Sequence, residues 1–115
     1  MRHTFLLLFL ALFCISGCSR STPLSVENRS GVLLQSVVVS GSGFTEELGD
    51  IQPGATATVD VRPIGESNLA IAFTASGNRV SPPADTYFEG GGRYFVAVAV
   101  TPSLEAAVES QLRPY

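Results

Sequence analysis

Three side chains in this 115-residue sequence could transfer a proton near neutral pH or hold a soft metal: His3, Cys14 and Cys18. All three fall within the first eighteen residues. Residues 19–115 contain no cysteine and no histidine, and lysine is absent throughout. Ser-His-Asp and Cys-His devices need an imidazole or a thiol, and a Ser-Lys device needs an amine. Zinc and copper sites draw mainly on His and Cys. Neither class can therefore be built within residues 19–115 of one chain. What remains is carboxylates, hydroxyls and arginines.

Those remaining groups form few suggestive patterns. Gly65-Glu66-Ser67-Asn68-Leu69 starts like a nucleophile elbow but lacks the second glycine that the sharp strand-to-helix turn requires. It reads as an ordinary loop. Glu46, Glu47 and Asp50 lack the regular acidic spacing of a calcium loop and read as a solvated acidic turn. A carboxylate pair could hydrolyse a glycosidic bond, but nothing in the sequence places two of them across a cleft. There is also no tryptophan to stack a sugar ring.

The most distinctive segment is Tyr87-Phe88-Glu89-Gly90-Gly91-Gly92-Arg93-Tyr94-Phe95. Aromatic pairs flank a triple glycine, with Glu89 and Arg93 just inside them. One reading is a partner-contact loop formed by Tyr87, Phe88, Glu89, Arg93 and Tyr94, because aromatic and arginine side chains dominate binding hot spots. The competing reading is a β-hairpin whose glycines supply positive φ. A phosphate cradle does not fit, since no Lys-Ser/Thr follows the glycines.

The N-terminus carries the most specific signal. Arg2 and His3 give a basic start, Phe5 to Phe13 is an unbroken apolar stretch, and Ser16 and Gly17 precede Cys18. A membrane span needs about 20 apolar residues, more than this stretch supplies. Ile15-Ser16-Gly17-Cys18 resembles the lipobox of bacterial lipoproteins. That resemblance implies removal of residues 1–17, a diacylglycerol on the Cys18 thiol and an acyl chain on its new amine. It also implies an address in the bacterial envelope. Ser19 follows the cysteine, where an aspartate is associated with inner-membrane retention, so the resemblance favours the outer membrane facing the periplasm.

Residues 18–115 carry the six arginines 20, 29, 62, 79, 93 and 113 against ten acids, a net charge of −4. A mildly acidic, lysine-free chain is a poor partner for nucleic acid, whose phosphates select clustered basic charge. Residues 18–23 are polar and without period, and read as a lipidated tether of six residues. Such a tether extends at most about 20 Å, which keeps the domain close to the bilayer. Residues 24–115 are one domain's worth of chain.

The elements that position these residues read as short strands. Leu24, Val26 and Asn28 alternate with Ser25, Glu27 and Arg29; Ala55, Ala57, Val59 and Val61 alternate with Thr56, Thr58, Asp60 and Arg62. Val32 to Val39 is a β-branched run, Phe44 to Ile51 a short edge strand, and Leu69, Ile71 and Phe73 another inward set. Tyr94 to Val100 is apolar on both faces and reads as a central strand. Residues 103–113 fit a strand or a helix opened by Pro102, with the strand favoured. This pattern predicts an all-β fold, a small antiparallel sandwich of immunoglobulin-like type. Together with Gln52-Pro53-Gly54 and Gly90-Gly91-Gly92, it resembles the small sandwich domains of uncharacterised envelope lipoproteins. The expected function is a non-enzymatic, membrane-anchored interaction or assembly module with an envelope protein partner and no cofactor beyond the covalent lipid. The alternative is a tethered periplasmic inhibitor or small-ligand binder.

Overall fold

The computed structural model describes residues 21–91 and 93–112. Within them the chain is a β-sandwich. The first sheet has the order β10-β9-β1-β4, formed by β1 (Thr22–Asn28), β4 (Thr56–Val61), β9 (Tyr94–Val100) and β10 (Ala106–Leu112). The second has the order β3-β2-β6-β7, formed by β2 (Leu34–Gly41), β3 (Phe44–Ile51), β6 (Ala70–Ala75) and β7 (Asn78–Val80). A ribbon of β5 (Glu66–Ser67) and β8 (Phe88–Glu89) flanks them.

Alternating side chains build the core, because successive residues of a strand face opposite sides of its sheet. Leu24 and Val26 from β1, Val61 from β4, and Val96, Val98 and Val100 from β9 meet Leu34, Val37, Val39, Ile71 and Phe73 from the second sheet. β9 lies between β10 and β1, the interior position in its sheet that its apolar pattern predicts.

The structure departs from the sequence reading in several places. β1 pairs antiparallel with β4 but parallel with β9, so the first sheet is not wholly antiparallel. Strand periodicity encodes which face is buried, not which neighbour is chosen. β1 also begins at Thr22, so Thr22 and Pro23, expected in the tether, belong to a strand and pair with Val61 and Asp60. The edge strand β3 runs a full eight residues. Pro102 opens a turn rather than a helix: Thr101 N donates to Glu105 O, and residues 106–112 continue as β10.

Strand β2 contains an irregularity that periodicity could not reveal. Its pairing slips on both sides around Ser36, which sits at φ 50°. The extra residue restores Val37 to the core after two exposed positions, as a β-bulge does. Two side chains pin it: Ser36 N donates to Asp50 Oδ1 at 2.9 Å, and Arg79 Nη1 donates to Ser36 O at 2.9 Å. Asp50 is thereby engaged structurally, and Glu46 and Glu47 lie on opposite faces of β3 because they are consecutive in a strand. The three acids do not form one calcium-binding turn.

The sandwich has two ends, here called the root, where β1 begins, and the crown, where β1 ends. At the crown, Asn28 is fully buried. Its Nδ2 donates to Val32 O at 2.7 Å and Ile51 O at 2.9 Å. Its Oδ1 accepts from Ser30 N at 2.9 Å and Ser30 Oγ at 2.6 Å. One side chain thus joins the end of β1, the following loop and the end of β3.

Candidate interaction surface at the root end

Three chain segments converge at the root: the β2–β3 turn at Ser42-Gly43, residues 62–65, and residues 87–91. Backbone hydrogen bonds stitch them together. Ile64 N donates to Ser42 O at 2.9 Å, and Gly90 N donates to Gly65 O at 2.8 Å. Ser42 Oγ donates to Ile64 O, and Ser42 N donates to Ser67 Oγ. Ser67, the elbow-like serine, is buried and its hydroxyl also donates to Asn68 O, so it is a structural residue rather than a displayed nucleophile.

Phe88 anchors the distinctive segment. It is fully buried, and its ring packs tilted against Phe44 with centroids 6.1 Å apart. Phe88 therefore leaves the expected set of contact residues. Its burial holds its neighbours at the surface, since adjacent strand residues point to opposite sides. The glycines after it do not close a hairpin between β8 and β9. β8 pairs instead with β5, placing Phe88 opposite Ser67 and Glu89 opposite Glu66. Gly90 is required for close approach: a Cβ there would lie 2.0 Å from Pro63 O.

Tyr87 and Tyr94 meet edge to face with centroids 6.4 Å apart, a favoured aromatic geometry. The Tyr87 hydroxyl donates to Glu89 Oε1. That hydrogen bond, reinforced by desolvation and by the negative field of Glu89 and Glu66, pushes the Tyr87 pKa up to about 12. Ser110 Oγ donates to Tyr87 O at 2.7 Å, tying the segment to β10. Arg93, half-buried, immediately precedes β9. Of the expected contact residues, the structure gathers Tyr87, Glu89, Arg93 and Tyr94 at the root and withdraws Phe88. Cys18 lies outside the described residues.

Two contributors escaped the sequence reading. Ile64 is 72% exposed in the loop between β4 and β5, and Leu112 is 67% exposed at the end of β10. Leu112 pairs with Tyr94 across the strands. Tyr87 is 47% exposed, and the remaining exposed large apolar residue among those described, Val32, is 38% exposed at the crown. Exposed apolar surface is thus concentrated at the root. The available signal was an isoleucine between Pro63 and Gly65, where turn chemistry does not call for a large apolar side chain.

Glu66 and Glu89 form a registered carboxylate pair, but both are exposed on a ribbon rather than set across a cleft. A separate open depression of about 490 Å³ lies on the outer face of the first sheet. Ser25, Ala97, Ala99 and Ala107 line its floor, with Glu27, Arg29 and Glu109 also bordering it. Arg29 and Glu27 form an exposed ion pair at 2.7 Å.

No protein-family model matches the chain, and no curated protein matches it. Among solved structures, it is similar to an NMR structure of a protein from Eubacterium rectale, with a TM-score of 0.56 and 10% sequence identity. The match covers 81% of this chain and 90% of that one, and at this identity it speaks to the fold alone.

Proposed function

We propose that this chain is a bacterial envelope lipoprotein, anchored through Cys18, whose sandwich serves as a non-enzymatic interaction or assembly module. The observation that carries the reading is the position of β1. It starts at Thr22, four residues after Cys18, and runs between β9 and β4 inside a sheet. A four-residue connection reaches about 14 Å at most. A lipid on Cys18 would hold an already folded domain against the membrane with its crown, sheet edges and outer faces available to partners. The exposed edges of β3 and β10 suit strand addition by a partner.

The depression on the first sheet is half open, with Ser25 and three alanines in its lining and Glu27, Arg29 and Glu109 at its border. This favours contact with another surface over enclosure of a small ligand, which ordinarily buries most of its area. The test is intact-mass and fractionation analysis of the full-length protein and Cys18→Ser, followed by in-cell crosslinking. The expected result is a mature form that begins at acylated Cys18 and captures one envelope protein, with both properties lost in Cys18→Ser. An unmodified Cys18, or a soluble protein captured equally by both forms, would overturn the reading.

A further inference from the structure

We infer that the root end is a lipid-contact surface: Ile64, Leu112, Tyr87 and Tyr94 seat the sandwich upright on the bilayer that holds Cys18. The inference rests on the lipoprotein reading and adds an orientation to it.

The chain enters the fold at the same end that carries these side chains. Thr22 is at the root, beside Val61 and the start of the loop that carries Ile64. At most about 14 Å of chain separates Cys18 from Thr22. The end of the domain nearest the lipid is therefore the end with the most exposed apolar side chains. The arrangement is also built rather than incidental. Ile64 is fixed by hydrogen bonds to Ser42, and a Cβ on Gly43 would strike its side chain at 2.5 Å. Tyr87 is held by Phe88 packing below it and by Ser110.

The footprint spans both sheets. Ile64 packs against the β2–β3 turn of the second sheet, while Tyr94 and Leu112 belong to the first. Support from only one sheet would let the sandwich lie on its side. Contacts at the rims of both sheets favour strands standing away from the membrane plane. Tyrosine suits such a boundary, with an apolar ring and a polar hydroxyl. Arg62 and Arg93 lie at this end with Asp60, Glu66 and Glu89, so the charge is mixed. Contact should therefore depend on apolar insertion and tolerate salt, without a requirement for anionic lipid. A patch of this size would not retain the protein alone. The acyl chains supply residence, and the patch supplies orientation.

The test uses the full lipidated chain in phosphatidylethanolamine-rich vesicles, with an environment-sensitive fluorophore on Ile64→Cys, Leu112→Cys or, at the crown, Ser103→Cys. All three positions are exposed or nearly so, and the thiol of Cys18 is blocked by its lipid in the mature form. The expected result is a blue shift and strong quenching by headgroup-proximal doxyl lipids at 64 and 112, neither at 103, and no change in high salt. Absence of quenching at 64 and 112 in a chain whose mass confirms acylated Cys18 would overturn the orientation while leaving the anchor intact. A blue shift without lipid quenching would mean that a second copy covers the patch, which also overturns it. Unacylated Cys18 would overturn both readings together. Ile64→Asp combined with the probe at 112 supplies a control: it should reduce quenching at 112 while leaving the melting temperature nearly unchanged.

Discussion

The crown and the root close the same sandwich by different means. At the crown, the buried Asn28 side chain makes four hydrogen bonds to loop and strand ends, and the polar groups there satisfy one another. At the root, Phe88 and Phe44 pack beneath the loops, Gly90 lies against Pro63, and apolar side chains remain outside. A sandwich end needs only to cover its core and pair its backbone, and the crown does so without displaying much apolar surface. The apolar groups left exposed at the root are the ones that the proposed membrane contact would use.

The comparison can be broken most forcefully at Phe88. Phe88→Ala removes a fully buried ring and should cost about 3–5 kcal/mol, read as a lower denaturation midpoint. Proteolytic sensitivity should rise first in residues 87–93. Equal sensitivity at the crown would mean that the two ends are not separately built. Asn28→Ala should cost about 3 kcal/mol by leaving the Val32 and Ile51 carbonyls without their donor. Hydrogen exchange should then accelerate at residues 29–33 and 52–55 with little change at the root. A cost below about 0.5 kcal/mol, the range of ordinary surface substitutions, would remove the central role assigned to Asn28.

Tyr87 offers a pH-dependent contrast. Its folded pKa of about 12 exceeds the ordinary value of 10, so its contribution is present below pH 10 and is lost as pH rises towards 12. Ultraviolet titration should show a late-ionising phenol that is absent in Tyr87→Phe, and that variant should lose the corresponding part of the alkaline decline in stability. If Tyr87→Phe instead removes a tyrosine that ionises near the ordinary pH 10, the Glu89 contact is refuted. The smallest stability effects belong to Ile64→Ser and Leu112→Ser. Each should lie within about 0.5 kcal/mol in buffer because both side chains are largely exposed. A larger loss would assign them to folding rather than contact.

The sequence revealed most of what period two can encode. Period two correctly groups Leu24, Val26 and Asn28, and Leu69, Ile71 and Phe73; of the set Ala55, Ala57, Val59 and Val61 it holds for the last three, while Ala55 precedes β4 and is exposed. It did not reveal the bulge at Ser36, which resets the period within a continuous β-branched run. The parallel β1–β9 pair and the β5–β8 ribbon join residues distant in sequence, and neither leaves a local pattern. At the root, Tyr87 and Tyr94 stood out beside their glycines. Phe88 looked identical to them because burial of an aromatic residue in a short ribbon depends on partners supplied by β5 and Phe44. Ile64 is missed because a lone apolar residue has no period, and Leu112 because it reads only as one more position of the strand over residues 103–113.

The most direct measurement is hydrogen–deuterium exchange on the acylated chain in vesicles, compared with Cys18→Ser in buffer. The account predicts membrane-dependent protection at residues 62–66, 87–94 and 110–112, with residues 29–33, 52–55 and 101–105 exchanging as before. Protection centred on the crown, or none at the root despite an acylated Cys18, would contradict it.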